Sequence, residues 1–293
     1  MEKSALTPIS IIILTYNEAQ NIEDCIKSIG EWADKIFIVD SYSSDQTMLI
    51  AKKLGINFVQ NHWVSFAEQR KWSINNLELT NDWILFLDAD ERLTIEVKQE
   101  ITSLLTQELL RENGFYIRRR FFFLDKWLRH GGYYPSPEIR LMKRQQVQFI
   151  DEGGGARERF IVNGLVGHLQ KDIFHLYNKG ITEWIMKHLK LAQLEAEADL
   201  LTKNQANRVD LIGSIGSTNW LRVNIWNKLP RTIRPFLLFI YRYFLKFGFL
   251  DGKQGLYYCF LHDFWFPFLI DIFYFEKVNN LSLLGKTEKL KPD

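Results

Sequence analysis

Residues 83–91, W-I-L-F-L-D-A-D-E, constrain the fold more than any other stretch. Five apolar residues run straight into two aspartates at i and i+2. A short apolar run with β-branched and aromatic content suits a strand buried on both faces of a parallel sheet. Such a strand ends at the rim of the sheet, where open α/β folds bind ligands. If the extended geometry continues, Asp88 and Asp90 point the same way, because side chains alternate with period 2. Two carboxylates aimed together into a crevice repel unless a cation lies between them. Oxygen-preferring Mn²⁺ or Mg²⁺, shared with substrate phosphates, is the natural guest. A lone D-x-D is more often a solvated strand-end turn, so the upstream context has to decide.

That context alternates regularly. Residues 9–14 are apolar except Ser10, and Ile22, Cys25, Ile26 and Ile29 recur at helical spacing. Residues 36–39 predict a second strand ending at Asp40. Cap-type residues at 43–47 precede a short helix through Leu54. Residues 56–59 predict a third strand, 66–77 a helix and 83–87 the fourth strand. Connections this short imply right-handed βαβ units and a parallel sheet. Further on, the pattern predicts a helix over 95–110, strands over 114–123 and 139–143, a glycine loop at 153–155, an extended piece at 160–162 and a helix over 181–201.

Three strand ends carry polar clusters. Thr15, Tyr16, Asn17 and Glu18 lie between the first strand and first helix, where free N–H groups suit a nucleotide. Simple helix capping by Asn17 is the alternative. Asp40 and Ser41 end the second strand, where an acid accepts hydrogen bonds from a ribose or base. Arg70 or Lys71, on a helix whose Trp72 faces inward, approaches a diphosphate or else lies on a solvated face. His168, His175 and His188 match no compact metal-ligand spacing. They are read as structural or acceptor-positioning, with His188 a candidate acceptor contact.

The strings I-I-I-L-T-Y-N-E, I-F-I-V-D-S-Y-S-S-D-Q-T, F-A-E-Q-R-K-W and D-W-I-L-F-L-D-A-D-E resemble the family 2 glycosyltransferases over residues 9–93. They look closest to the branch that includes the lipopolysaccharide-core β-1,4-glucosyltransferases. The resemblance continues less specifically over 131–144 and 161–197. It implies an α/β fold of GT-A type, Rossmann-like, with a mostly parallel central sheet and flanking helices. The catalytic domain would span 1–205, with a nucleotide-binding half (1–93) and an acceptor half (94–205). A helical, aromatic-rich region would fill 206–293.

The resemblance also implies an inverting hexosyltransferase using a UDP-sugar, such as UDP-glucose, with Mn²⁺ or Mg²⁺. Thr15, Tyr16, Asn17, Glu18, Asp40, Ser41, Arg70 and Ala89 would hold the nucleotide-sugar. Asp88 would lie near the ribose and metal, and Asp90 would be the metal ligand. The base of such an enzyme lies downstream of the D-x-D. Glu158 is the favoured candidate, Glu138 the second, and Asp151 or Glu152 a weaker third. Where relatives often carry His-Glu, this chain has Arg157-Glu158.

Composition narrows the partners. A net charge of +2 does not suit a nucleic-acid binder, and two distant cysteines do not make a disulfide scaffold or zinc site. Residues 1–8 show no signal-peptide pattern, which suggests a cytoplasmic protein. From 236 to 275, 17 of 40 residues are aromatic, and 222–253 has seven Lys or Arg against one acid. Residues 236–250 are too short to span a bilayer, and 256–275 carry Asp263, Asp271 and Pro267. Helices lying in the membrane interface, on the inner face of the cell membrane, fit better. Packing on the catalytic core is the alternative, and both can hold. A glycan or glycolipid acceptor on that leaflet would suit such a dock. The rivals are a nucleotidyltransferase, which would need a glycine-rich phosphate loop, and a non-catalytic membrane-bound partner protein. No pattern speaks to oligomeric state.

Overall fold

The computed structural model describes residues 6–153, 157–204 and 229–279. Strands β1 (Thr7–Thr15), β2 (Ala33–Asp40), β3 (Asn57–Gln60) and β4 (Trp83–Asp88) lie parallel in the order β3-β2-β1-β4. Helices α1 (Ile22–Ile29), α2 (Thr47–Lys53) and α3 (Phe66–Asn76) connect them. The alternation along β1 explains its continuous apolar run. Ile9, Ile11 and Ile13 pack with the α1 stripe of Ile22, Cys25, Ile26 and Ile29. Ile12 faces the other side, with Phe37, Val39, Ile84 and Phe86, and there Trp72 and Ile74 of α3 cover it. Both sheet faces are therefore dry, and each fully buried Ile contributes roughly 1.5–3 kcal/mol.

Beyond β4 the sheet becomes mixed. The later elements are β5 (Glu91–Arg92), α4 (Ile95–Leu105), β6 (Glu112–Phe123), β7 (Lys126–Trp127), β8 (Glu138–Lys143), β9 (Val147–Gly153), β10 (Arg157–Val162), β11 (Leu165–Leu176) and α5 (Gly180–Asn204). The chain reverses between β6 and β8 at Gly131 and Gly132, both at positive φ, so β8 inserts antiparallel between β4 and β6. β11 then runs parallel to β6 and antiparallel to β5. The parallel reading thus holds for the first half, and the completed nine-stranded sheet is mixed. β9 and β10 form a separate antiparallel hairpin, with Phe149 and Phe160 edge-on to Phe86.

Neither β9 nor β11 was expected. In β11 the apolar residues are interrupted by His168, Gln170, Lys171 and Asp172, so no period shows in the sequence. The helix expected over 95–110 stops at Leu105.

The C-terminal helices pack against the sheet domain and α5. Tyr258 and Cys259 join Phe123, Leu128, Tyr133 and Trp184 in one buried cluster. Among the described residues, Gly248–Val278 is a helical run long and apolar enough to cross a membrane, with mean hydropathy 1.2 and 17% of the window buried. Three of its four acids, Asp251, Asp263 and Asp271, are turned toward protein. Asp263 meets the Tyr133 hydroxyl, His262 (2.9 Å) and Arg242 (3.3 Å), and Asp271 lies 3.8 Å from Arg231. The expected boundary at 205/206 falls at the edge of the described residues.

Candidate active site

The parallel register sets one rim. Thr15 is level with Asp40, and Leu14 with Asp88, so the ends of β1, β2 and β4 meet at the carboxyl edge of the sheet. Asp40 is fully buried and heavily bonded. Its carboxylate accepts from Thr15 Oγ1 (2.9 Å), Ser43 N (2.8 Å), Ser43 Oγ and Gln60 Nε2 (3.2 Å). Ser41 N donates to Thr15 O (2.9 Å), and Gln69 Nε2 reaches Ser41 Oγ (3.1 Å). Tyr16 and Tyr42 stand exposed at this rim, and Tyr42 stacks on His62 with ring centroids 4.2 Å apart. The two aromatic faces give a base something to stack on.

Asn17 is not the helix cap. It adopts a left-handed backbone (φ 54°), and its Oδ1 accepts from Ser44 N (2.8 Å), tying the first two rim loops together. The N–H groups of Asn21 and of Ile22, the first residue of α1, both donate to Glu18 O. Glu18 itself meets Lys179, at 2.6 Å from Nζ, and Lys179 also donates to Asn17 O (2.7 Å). Burial lifts the Glu18 carboxyl above its usual range, with Lys179 opposing.

The two D-x-D acids have separate partners. Extended geometry ends at Asp88, and Ala89 and Asp90 form a turn. The period-2 alternation expected to align the two side chains therefore does not apply at Asp90. Asp88 is clasped by Arg140, whose Nη1 lies 3.2 Å away, with Arg70 at 3.6 Å. Burial alone would raise its carboxyl, but the two arginines hold it well below the usual carboxylate range. The Ala89 carbonyl accepts from Arg92 (2.8 Å), which stiffens the turn.

Asp90 lies 3.3 Å from His175 Nε2. The pairing of β11 with β5, His175 opposite Glu91, brings the histidine there. Burial opposes ionisation of both, yet each stabilises the other's charge, so Asp90 is lowered and His175 raised. Among the described residues no group of three or more His, Cys, Asp and Glu gathers as a metal site. One carboxylate oxygen and one imidazole nitrogen nevertheless form a donor pair that suits Mn²⁺ better than oxygen-preferring Mg²⁺, with phosphate and water the usual remaining ligands of such ions. Of the three histidines read from the sequence as structural or acceptor-positioning, His175 is the one brought against the D-x-D.

Both base candidates are held by the arginines that clasp Asp88. Arg70 is buried against the Phe86 and Phe160 rings, and its Nε donates to both oxygens of Glu158 (3.0 and 3.1 Å). Ser65 caps α3 and sets this helix, which turns Arg70 inward and leaves Lys71 paired with Glu68 in solvent. Glu138 meets Arg140 (3.1 Å) and Arg119 and is half-exposed. Burial raises the Glu158 carboxyl, with Arg70 opposing. Asp151 sits opposite Glu158 in the hairpin register, and the Glu152 side chain lies outside the described residues. His188 is stacked on Trp184 at 3.5 Å and lies edge-on to Phe266. Arg140, Glu91 and Lys179 were missed in the sequence, because none stands in a recognisable local pattern.

The mixed sheet with flanking helices and a polar rim at its carboxyl edge defines an α/β protein of GT-A-like architecture. Residues 10–162 match the profile of Glycosyl transferase family 2. The chain belongs to that family. It is 39% identical over 100 residues to an uncharacterized glycosyltransferase of Rickettsia bellii (strain RML369-C), covering 34% of this chain and 33% of that protein. It is 31% identical over 104 residues to the glycosyltransferase SunS of Bacillus subtilis (strain 168), covering 35% and 24%. The matched part is about a third or less of the length of these relatives. Among solved structures, S. aureus TarS 1–349 superposes with TM-score 0.44 at 12% identity, over 94% of this chain and 92% of that one. The mannosyltransferase PcManGT of Pyrobaculum calidifontis, in complex with GDP-Man and Mn²⁺, gives 0.45 at 12% identity, over 96% and 78%.

Proposed function

We propose that the protein is an inverting, metal-assisted hexosyltransferase. It moves a sugar, glucose as the named case, from a UDP-sugar to a lipid-linked glycan or lipopolysaccharide-core acceptor at the inner face of the cell membrane. The observation that carries this reading is the Asp90–His175 pair beside the Asp40 rim, within a glycosyl transferase family 2 fold. Thr15, Ser41 and Asp40 order the nucleoside pocket, and Tyr16 and Tyr42 offer it aromatic faces. Asp90 and His175 would hold the metal, which would supply Lewis-acid neutralisation of the departing diphosphate.

Glu158 acts as base. It takes the acceptor hydroxyl proton while that oxygen bonds to sugar C1 and the bond from C1 to the diphosphate oxygen breaks. Its two oxygens share one Arg70 N–H, so lone pairs remain free for that proton. Burial raises its basicity, whereas Glu138 is occupied by two arginines.

The test is calorimetric binding of UDP and GDP, with and without Mn²⁺, to wild type, Asp90→Ala and His175→Ala. Tight UDP binding that needs the metal and both residues is the expected result. Metal-dependent GDP binding instead would overturn the donor, and binding of neither would overturn the enzyme reading in favour of a non-catalytic partner protein.

A further inference from the structure

The tip formed by residues 241–253 has no part in the site chemistry. The helical turn Tyr241–Leu245 passes through left-handed Phe247 (φ 60°) into Gly248–Asp251. Two glycines make the turn tight. A Cβ on Gly248 would lie 2.9 Å from the Arg242 carbonyl oxygen, and one on Gly255 would lie 2.3 Å from the Gly248 carbonyl oxygen. These neighbours are backbone atoms, which cannot swing aside. The tight turn leaves Phe244, Leu245, Phe247, Phe249 and Leu250 pointing outward, each 44–65% exposed. Singly exposed apolar residues are ordinary, but five within seven residues on one tip mark a contact surface.

Cations surround that tip. Lys246 and Lys253 are exposed on it. On the adjoining β7 segment, Lys126 Nζ lies 3.5 Å from where a Gly252 Cβ would be, and exposed Arg129 stacks over Trp127 at 4.5 Å. Of the two acids on these segments, Asp251 is buried against His130, which leaves Asp125 against four exposed or half-exposed cations.

We propose that this tip docks on an anionic lipid bilayer. Its apolar side chains enter the headgroup region, and Lys246, Lys253, Lys126 and Arg129 meet lipid phosphates. Apolar insertion beside basic side chains is the combination that binds an anionic interface. A second copy of this chain fits less well, because a two-fold contact would set the same cations against each other.

The tip is also joined to the acceptor side of the site. His130 N and Nδ1 both meet Asp251 at 2.8 Å, Gly131 N donates to Lys246 O (2.8 Å), and Arg242 donates to Gly131 O (3.0 Å). Ser136 and Glu138, a few residues on, contact Arg119. A docked tip therefore turns residues 130–138 toward the membrane, from which a lipid-linked acceptor would arrive. This last step rests on the glycosyl-transfer reading, whereas the docking does not.

The experiment uses the full chain in flotation with phosphatidylglycerol–phosphatidylcholine vesicles and with phosphatidylcholine alone. Leu245→Ser with Leu250→Ser, and Lys246→Glu with Lys253→Glu, are compared with wild type. Wild type should partition onto the anionic vesicles, and each double variant should bind about tenfold or more weakly. Hydrogen exchange on wild type, which needs no variant, should show vesicle-induced protection over 126–132 and 241–253. Equal partitioning of all three proteins, no wild-type binding, protection elsewhere, or a wild-type dimer that both variants dissolve would overturn the proposal. UDP binding on the same samples without vesicles separates the two readings. Lost docking with intact UDP binding defeats the dock alone, and intact docking without UDP binding defeats the donor site alone.

Discussion

Replacing Arg140 with Leu removes a guanidinium that three carboxylates share. Arg140 is 3% exposed and reaches Asp88, Glu91 (2.9 Å) and Glu138 (3.1 Å). The three acids would not suffer equally. Glu138 is half-exposed and regains water, and Asp88 keeps Arg70. Glu91 is fully buried, and its remaining cations are Arg119 at 3.7 Å, itself shared with Glu138, and His175, already engaged by Asp90. Breaking one side of a buried ion pair costs about 3–5 kcal/mol. With one of three acids stranded, a loss near the lower end, about 3 kcal/mol at pH 7, is expected.

Glu91 can escape by taking a proton. Burial already raises its carboxyl, with Arg140 opposing, so removing Arg140 raises it further. An acid raised in the folded state binds its proton more tightly there than in the unfolded chain. The variant's deficit should therefore shrink as pH falls toward the unfolded carboxylate value, by up to about 1.4 kcal/mol per unit. Adding Glu91→Gln should recover most of the loss at pH 7. Urea unfolding followed by tryptophan fluorescence, at pH 7 and pH 5, measures all of this. A loss under about 1 kcal/mol at pH 7, or a loss that Glu91→Gln leaves unchanged, would refute the reasoning.

Three further outcomes are expected. Glu158→Gln should lower kcat about 10²-fold or more while UDP binding is kept. Because burial raises Glu158, the acid limb of the wild-type pH–rate profile should lie above the usual carboxylate range and vanish in the variant; near-normal turnover would remove Glu158 as the base. His175→Ala should abolish the Mn²⁺ enhancement of UDP affinity, whereas an unchanged enhancement in calorimetry would count against it as a ligand. Burial pushes His188 down to about 4, with the Trp184 carbonyl opposing. The unfolded chain then takes up this proton first, so stability present above about pH 6.5 is lost between there and about 4, by at most about 3 kcal/mol. His188→Phe keeps the stack on Trp184 and should flatten that part of the urea-midpoint profile.

The first ninety residues were legible because their elements are consecutive. In right-handed βαβ units each strand end falls beside the last, so polar residues after β1, β2 and β4 had to share a rim. Buried strands also declare themselves by unbroken apolar runs, as residues 9–14 and 83–87 do. The D-x-D string was readable as chemistry but not as geometry. Whether Asp90 follows Asp88 in extended form depends on β5, a two-residue strand whose pairing partner lies far along the chain. The Arg70-in, Lys71-out choice was equally hidden, since α3 has no strong apolar stripe and Arg70 finds Glu158 88 residues away.

From its own residues, then, the chain determines a parallel α/β rim with Thr15, Asp40 and Asp88 on it. Those positions follow from local periodicity and the handedness of short connections. Tertiary structure alone decides the partners of each charge. The β4–β8 pairing brings Arg140 to Asp88, β10 lays Glu158 on Arg70, and β11 seats His175 against Asp90. Charged partners in a dry site are chosen by which groups burial forces to neutralise each other, and that is settled by strand pairing at long range.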